Sequence, residues 1–354
     1  MHSNSLFYHT KAVKACADAL GFAARIEVSN YALEIEFSGT RVLLQPRFTY
    51  IDPARGLNYT PYFKPEVAGF AGWLPYFNKV WPISLDKLAF KSYAAERGLR
   101  IPQYWSQASA GISDFIVKRR GGSFSQGMRG PYRVLDLARP EHRVSEKEYI
   151  ERFIEGQIAK IWYWNAQPAC LELWPFAEVF GDGRLTIREL VTQALRDRVR
   201  FADWAAIEVM LAYGNRTLST VLQSGERSTV EFRYGGAMYG LDYSNRNVLD
   251  AHLRTELGAQ LQQAGKALWQ AIPSDIRDGV LYTVDAILDP SGQLWLLEMN
   301  PNPAVHPDVY TLMFRAVLEG KVSKMPSLAG PGQKDMDAFK GGLVWAPVPP
   351  TRRR

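Results

Sequence analysis

Cysteine is nearly absent from this 354-residue chain: only Cys16 and Cys170 occur, far apart and without metal-ligand spacing. That excludes a disulfide framework and a cysteine-built zinc site, and a reducing cytoplasm is the expected compartment. Histidine is scarce as well, with five residues that form no metal-binding set. No run of eighteen apolar residues occurs, so no membrane span is expected. The opening MHSNSLFYHTKAVKACADAL lacks the basic start and apolar stretch of a secretory signal. There is no Gly-x-x-x-x-Gly-Lys-Ser/Thr phosphate loop, no internal repeat and no low-complexity tract.

Charge of either sign is in short excess, 42 basic against 36 acidic residues for a net charge of +6. The basic residues are scattered, apart from short clusters at 118–120 and 196–200 and at the C-terminus. No basic stripe marks a nucleic-acid partner, and none is expected. A positive cleft for an anionic substrate agrees with the same number. An apolar content of 47% with 22% charged residues is that of an ordinary globular enzyme, long enough for two or three domains.

The apolar spacing over 9–21 predicts a helix, and RIEVSNYALEIEFSGTRVLLQPRF reads as strands broken by turn signals. Residues 48–84, rich in aromatics, Pro and Gly, give no clear pattern. A helix is predicted from Ser84, taken as its cap, to Gly98, and DFIVKR is strand-like. SEKEYIERFI looks helical; IAKIWYW and ACLELWPFAEVF look like strands. TIRELVTQALRDR reads as a helix capped by Thr186, followed by a long helix over 250–271. VLYTVDAIL and QLWLLEMN then form a strand pair around DPSG, and the Pro/Gly-rich end is expected to be loosely packed. The reading is an α+β chain of several small antiparallel sheets.

At 296–303 the apolar strand LLEMNPNP ends in Glu298 and Asn300. Side chains two apart share a sheet face. With a loop of two or four residues in the hairpin, Asp285 becomes a same-face neighbour of Glu298, close enough for both to hold one or two cations. Three oxygen donors without His or Cys suit Mg²⁺, whose remaining positions go to phosphate and water. A three-residue loop without a bulge would put Asp285 and Glu298 on opposite faces. The competing reading is that Glu298 and Asn300 only cap the following loop through backbone N–H groups.

FIVKRRGGSFSQGMRGP supplies phosphate-binding parts: Lys118 ends a strand, and Gly121, Gly122, Ser123 and Gly127 follow. Glycines let backbone N–H groups approach phosphate oxygens, and the lysine neutralises them.

Together these pieces resemble the ATP-grasp superfamily. Lys118, Phe124 and Gly127 match its strand lysine and closing loop; IERFIEGQIAKIW matches its hinge and YTVDAILDPSGQLWLLEMNPNP its metal motif. The likeness is greatest to the ATP-grasp domain of cyanophycin synthetases and bifunctional glutathione synthetases. It covers about 85–305, with gaps, and takes in VFGDGRLTIRELV and the segment ending at Arg233. The Mur-ligase-like half of cyanophycin synthetases is absent.

The resemblance implies an ATP-grasp fold, two α+β subdomains clamping ATP between antiparallel sheets, beside a small N-terminal α/β domain. The domains expected are 1–84; 85–185 with lid and hinge; 186–325 with the metal site; and a tail, 326–354. Lys87 and Lys118 would contact ATP phosphates beneath a lid at 121–130 containing Gly121, Gly122, Ser123 and Gly127. Glu151, Phe153 and Ile154 would line the adenine and ribose site. Arg233 would face the reacting carboxylate, with Arg233 and Lys118 the catalytic pair, and Asp285, Glu298 and Asn300 would bind magnesium, two ions being expected.

The chain departs from the family at several places. Ser125 replaces a lid glycine, and Ile158 stands where the hinge often has Glu. Lys160 replaces an Arg and is expected to take a phosphate contact. YGGAMYG follows Arg233 in place of an Asn-containing run, so acceptor recognition is expected to differ.

Other residues carry weaker signals. His306 could touch substrate, although a loop histidine is more often solvated. WLPYFNKVW at 73–81 could stack on a base but packs a core more naturally. Arg246 could hold a second anion or lie on a surface turn; Arg129 and Arg133 could close on phosphate or peptide carboxylates, and Arg120 could point into solvent.

The implied activity is an ATP-dependent carboxylate–amine ligase acting on an amino acid or peptide through an acyl phosphate. The alternative is an ATP-grasp-like small-molecule kinase that phosphorylates a hydroxyl; a third is a catalytically silent binding protein. The partners expected are small-molecule or peptide carboxylate and amine substrates, with neither nucleic acid nor membrane. Homo-oligomer formation stays open.

Overall fold

The computed structural model describes residues 3–52, 56–122, 127–196, 202–234, 236–239 and 246–320. It is an α+β protein of several antiparallel sheets, in agreement with the pattern read from the sequence. The chain divides into two compact units. One comprises the residues up to Lys79, 273–282 and from Asn302 onward; the other comprises Val80–Ile272 and Thr283–Pro301.

In the first unit, helix Ser3–Leu20 precedes strands Ala23–Ile26, Leu33–Phe37 and Thr40–Asp52. Strands Gly56–Thr60 and Val67–Leu74, in the stretch that gave no sequence pattern, both pair antiparallel with Thr40–Asp52. The core is aromatic: Trp73, Tyr310 and Phe314 are buried, and Tyr310 stacks on Phe314 with ring centroids 5.2 Å apart. Trp73 and Tyr76 therefore pack a core. His306 is buried as well, contrary to the solvated loop histidine expected.

The second unit holds two four-stranded sheets. One runs in the order Tyr104–Trp105, Glu148–Arg152, Ser113–Arg119, Arg129–Val134. The other runs Gln167–Pro175, Gln157–Trp164, Leu281–Leu288, Leu294–Pro301. A two-stranded ribbon, Ala177–Phe180 with Arg227–Glu231, and helices Ile187–Ala194, Trp204–Tyr213 and Glu256–Gln270 complete it.

Three local expectations are corrected. SEKEYIERFI does not form a helix: Glu148–Arg152 is a strand whose Tyr149, Ile150 and Glu151 are buried between neighbours. Its buried run has the strand-core form that helical periodicity can imitate over a few residues. The cap of helix Lys87–Glu96 is Asp86, whose carboxylate accepts the Leu88 and Ala89 N–H groups; Ser84 instead closes a preceding 3₁₀ turn. The long helix over 250–271 is two helices, Leu249–His252 and Glu256–Gln270. Thr186 does cap its helix, in a reciprocal capping box with Glu189.

Candidate active site

The hairpin formed by Leu281–Leu288 and Leu294–Pro301 decides how the site is built. Its loop holds three residues, since Asp289 N–H donates to Gln293 O at 3.0 Å and Gly292 N–H to Asp289 O at 3.0 Å. That corrects the expected loop of two or four. Asp289 fixes the turn by accepting from Ser291 N–H, Ser291 Oγ and Gln293 N–H. Uncorrected, this loop would put Asp285 and Glu298 on opposite faces. The strand Leu294–Pro301 compensates: its regular alternation of buried and half-buried residues slips by one at Leu297–Glu298, and both side chains reach the same cleft. A one-residue slip of this kind is what a β-bulge achieves. Asp285, Glu298 and Asn300 consequently meet, with Asn300 Nδ2 donating to Asp285 Oδ2 at 2.9 Å and to Glu298 Oε1 at 3.4 Å.

Lysines face these carboxylates. Lys87, in the first turn of its helix, places Nζ 2.9 Å from Glu298 Oε2 and donates to Gly122 O at 2.6 Å. Lys160 Nζ is 2.9 Å from Asp285 Oδ1. Lys118, next to the end of its strand, lies 3.2 Å from Glu151 Oε1. Glu151 is sealed from solvent, with its other oxygen 2.5 Å from Lys91 Nζ, and Lys91 is sealed too.

Charge sets the ionisation. Burial pushes the Glu298 carboxyl up, but Lys87 and Lys118 outweigh it and hold Glu298 at about 2. At Asp285 burial wins over Lys160, and the nearby Glu298 charge adds to it, so its carboxyl titrates above the usual range. Burial disfavours the Lys118 ammonium, yet Glu151, Glu298 and Asp285 together raise it above an ordinary lysine.

A cleft opens in this unit, lined by residues of both four-stranded sheets. Its two ends differ. Lys87, Lys118, Asp285 and Glu298 form a charged end, while Ile116, Ile158, Phe176 and Ile287 belong to one apolar cluster at the other. The strand period explains the arrangement: Ile116 and Lys118, Ile158 and Lys160, and Ile287 and Asp285 each lie two apart on one strand. A long ligand with an apolar head and an anionic tail fits such a cleft.

Of the other expected site residues, Phe153 and Ile154 line the cleft, Phe153 within the apolar cluster. Glu151 also lines it, through contacts with Lys118 and Lys91. Gly122 lines the cleft, whereas Gly121 and Gly127 flank it; Gly122 and Gly127 have φ of +101° and +69°. Ser123, Phe124, Ser125 and the tail 326–354 lie outside the described residues. Arg233 reaches the cleft but is clamped: Nε and Nη2 donate to Glu231 at 2.9 Å each, and Nη1 to Asp203 at 3.0 Å. Lys160 and Asn300 join the site through Asp285.

Arg129 is bound to Glu148 and to the carbonyls of Glu141 and Arg143, and Arg133 stacks on Tyr213. Arg120 pairs with Asp86 at 2.9 Å. Arg246 lies over the Trp174 ring at 3.6 Å. The residues missed in the sequence are Lys91 and the apolar wall of Ile116, Phe176, Ile287 and Leu297. Two-residue spacing from Lys118 and Asp285 could have found Ile116 and Ile287; no sequence signal pointed to Lys91.

The two carboxylates suit a hard divalent cation, and Asn300, whose Nδ2 now donates to both, would add its amide oxygen on turning over.

No protein-family model matches the chain, and no curated protein matches its sequence. Solved structures do resemble it. A bifunctional glutathione synthetase from Pasteurella multocida is 13% identical with a TM-score of 0.39, covering 83% of this chain and 40% of its own. A D-alanine–D-alanine ligase from Bacillus anthracis is 14% identical with a TM-score of 0.36, covering 67% and 66%. The ATP-grasp ligase PsnB, in complex with a precursor variant, Mg and ADP, is 12% identical with a TM-score of 0.30, covering 68% and 53%. The chain spans less than two thirds of the length of each of them.

Proposed function

We propose that this chain is an ATP-dependent carboxylate–amine ligase that joins an amino acid or peptide through an acyl phosphate. The observation that carries the reading is the convergence of Asp285, Glu298 and Asn300 opposite Lys87 and Lys118, at one end of a cleft whose other end is apolar. The apolar end suits a nucleobase and the charged end a triphosphate. The motif resemblance over 85–305 supports the same reading.

On this reading Asp285, Glu298 and Asn300 would hold magnesium, which when bound would withdraw charge from the phosphates. Lys87 and Lys118 neutralise the phosphate oxygens. A substrate carboxylate oxygen attacks the γ-phosphorus, the bond to the β-phosphate oxygen breaks, and ADP leaves. An amine then attacks the acyl carbon and phosphate departs. Arg233, held in place by Glu231 and Asp203, faces the tetrahedral oxyanion. Water must be kept away because an acyl phosphate hydrolyses, and the segment 121–130 is suited to cover the phosphates.

The test is ATP turnover with amino acids and short peptides in the presence of hydroxylamine. A ligase releases phosphate and yields a hydroxamate. Labelled phosphate on an acceptor without hydroxamate would make the protein a kinase instead, and no turnover with any acceptor would leave a binding protein.

A further inference from the structure

One row of charge crosses the second sheet of the site. Glu172, on Gln167–Pro175, is the register partner of Lys160 on Gln157–Trp164. On the other side of Lys160 comes Asp285 of Leu281–Leu288, and then Glu298 and Asn300 of Leu294–Pro301. The four carboxylate oxygens of Asp285 and Glu298 all face N–H donors of the protein itself. Asp285 takes Lys160 on Oδ1 and Asn300 on Oδ2; Glu298 takes Lys87 on Oε2 and Asn300, at 3.4 Å, on Oε1.

Lys160 and Lys87 each already offset one of the two carboxylates where a cation would bind, and Lys118 adds positive charge nearby. A bare divalent ion gains little there, because it must displace two ammonium groups whose charge already satisfies the carboxylates. A nucleoside triphosphate changes the balance, since its phosphates offer those ammonium groups a new anionic partner. The two lysines are tethered differently. Lys87 is also fixed by Gly122 O at 2.6 Å. The Lys160 ammonium lies over the Tyr234 ring at 4.7 Å and the Trp162 ring at 5.7 Å, faces that still favour a cation after it leaves Asp285.

We propose that Lys160 is an internal counter-cation that fills the metal's place at Asp285 and so makes divalent-ion binding depend on the nucleotide. The inference rests on the ATP-ligase reading above. Lys160 is a positioning and selectivity residue here: it sets when the metal enters, and the metal's ligands remain Asp285, Glu298 and Asn300.

The experiment titrates Mn²⁺ into the full chain and detects bound ion by electron paramagnetic resonance, without nucleotide and with a non-hydrolysable ATP analogue. Wild type is expected to bind Mn²⁺ weakly alone and tightly with the analogue. Lys160→Met and Lys160→Gln, with two variants guarding against a folding defect in either, are expected to bind Mn²⁺ alone at least about tenfold more tightly, because the local negative charge rises by one. Lys160→Arg keeps the charge and is expected to behave as wild type. Equal Mn²⁺ affinity of wild type and both neutral variants without nucleotide overturns the proposal. A wild type that fails to bind the analogue at all overturns the ATP reading instead, and the two failures are read from separate titrations.

Discussion

Lys91 Nζ lies 2.5 Å from Glu151 Oε2, and both side chains are closed to solvent. The other Glu151 oxygen receives Lys118 at 3.2 Å, so a buried lysine on a helix holds the carboxylate that holds the strand lysine. Without Lys91, Glu151 keeps Lys118 as its counter-charge but one of its buried oxygens loses its partner, which is costly. Lys91→Met is expected to cost about 3 kcal/mol of stability in urea unfolding. The double variant Lys91→Met with Glu151→Gln also strips Lys118 of its carboxylate partner and should not regain that loss. Equal stability of the single variant and wild type would mean the pair contributes nothing.

Glu298→Ala separates a metal ligand from a loop cap. Turnover is expected to fall by at least about a thousandfold, as for loss of a principal electrostatic group, while the melting temperature stays close to that of wild type. An unfolded variant whose folded fraction works normally would favour the capping reading.

Arg233 is clamped through three nitrogens by Glu231 and Asp203. Arg233→Lys keeps the charge but loses the fork, and kcat is expected to drop about 10²-fold with KM for ATP little changed. Parallel loss of ATP affinity would move Arg233 from the reacting carbonyl to the nucleotide.

Gly156 joins the strand Glu148–Arg152 to Gln157–Trp164, and a Cβ there would meet Leu288 O at 2.2 Å. Gly156→Ala is expected to destabilise by about 1–3 kcal/mol, the usual cost of overpacking, measured by chemical denaturation. An unaffected midpoint would show that the backbone at Leu288 yields.

His9 is buried, and its Nδ1 meets Tyr310 Oη at 2.8 Å. Tyr310 Oη also accepts the Trp73 N–H at 3.0 Å. Burial, with a smaller push from His306, lowers the imidazole from 6.5 to about 3. The unfolded chain therefore binds this proton first. The His9 contribution is complete above pH 6.5 and is lost as the pH falls toward 3, with a slope of about 1.4 kcal/mol per pH unit. His9→Gln should flatten that part of the stability–pH curve; an unchanged slope would assign it to other groups.

Much of this was legible in residue pattern. Period-two alternation gave the strands bearing Lys118, Lys160 and Asp285, and Thr186 announced its helix through its own hydroxyl. What stayed hidden depended on partners distant in the chain. Glu148–Arg152 reads as helix until the strands on both sides are known. Lys91 looks like any surface lysine of an amphipathic helix until Glu151, sixty residues away, is seen beside it. Asp285 and Glu298 were paired correctly, but through a loop of the wrong length; the compensating slip leaves no mark in composition.

On the ATP reading proposed above, that slip makes consecutive residues serve opposite ends of the nucleotide. Leu297 stands on the greasy wall and Glu298 among the ammonium groups, joined by a single peptide unit. A nucleotide analogue too bulky for the wall would push both along the same path, so tolerance toward modified bases and dependence on magnesium should vary together rather than be tuned separately.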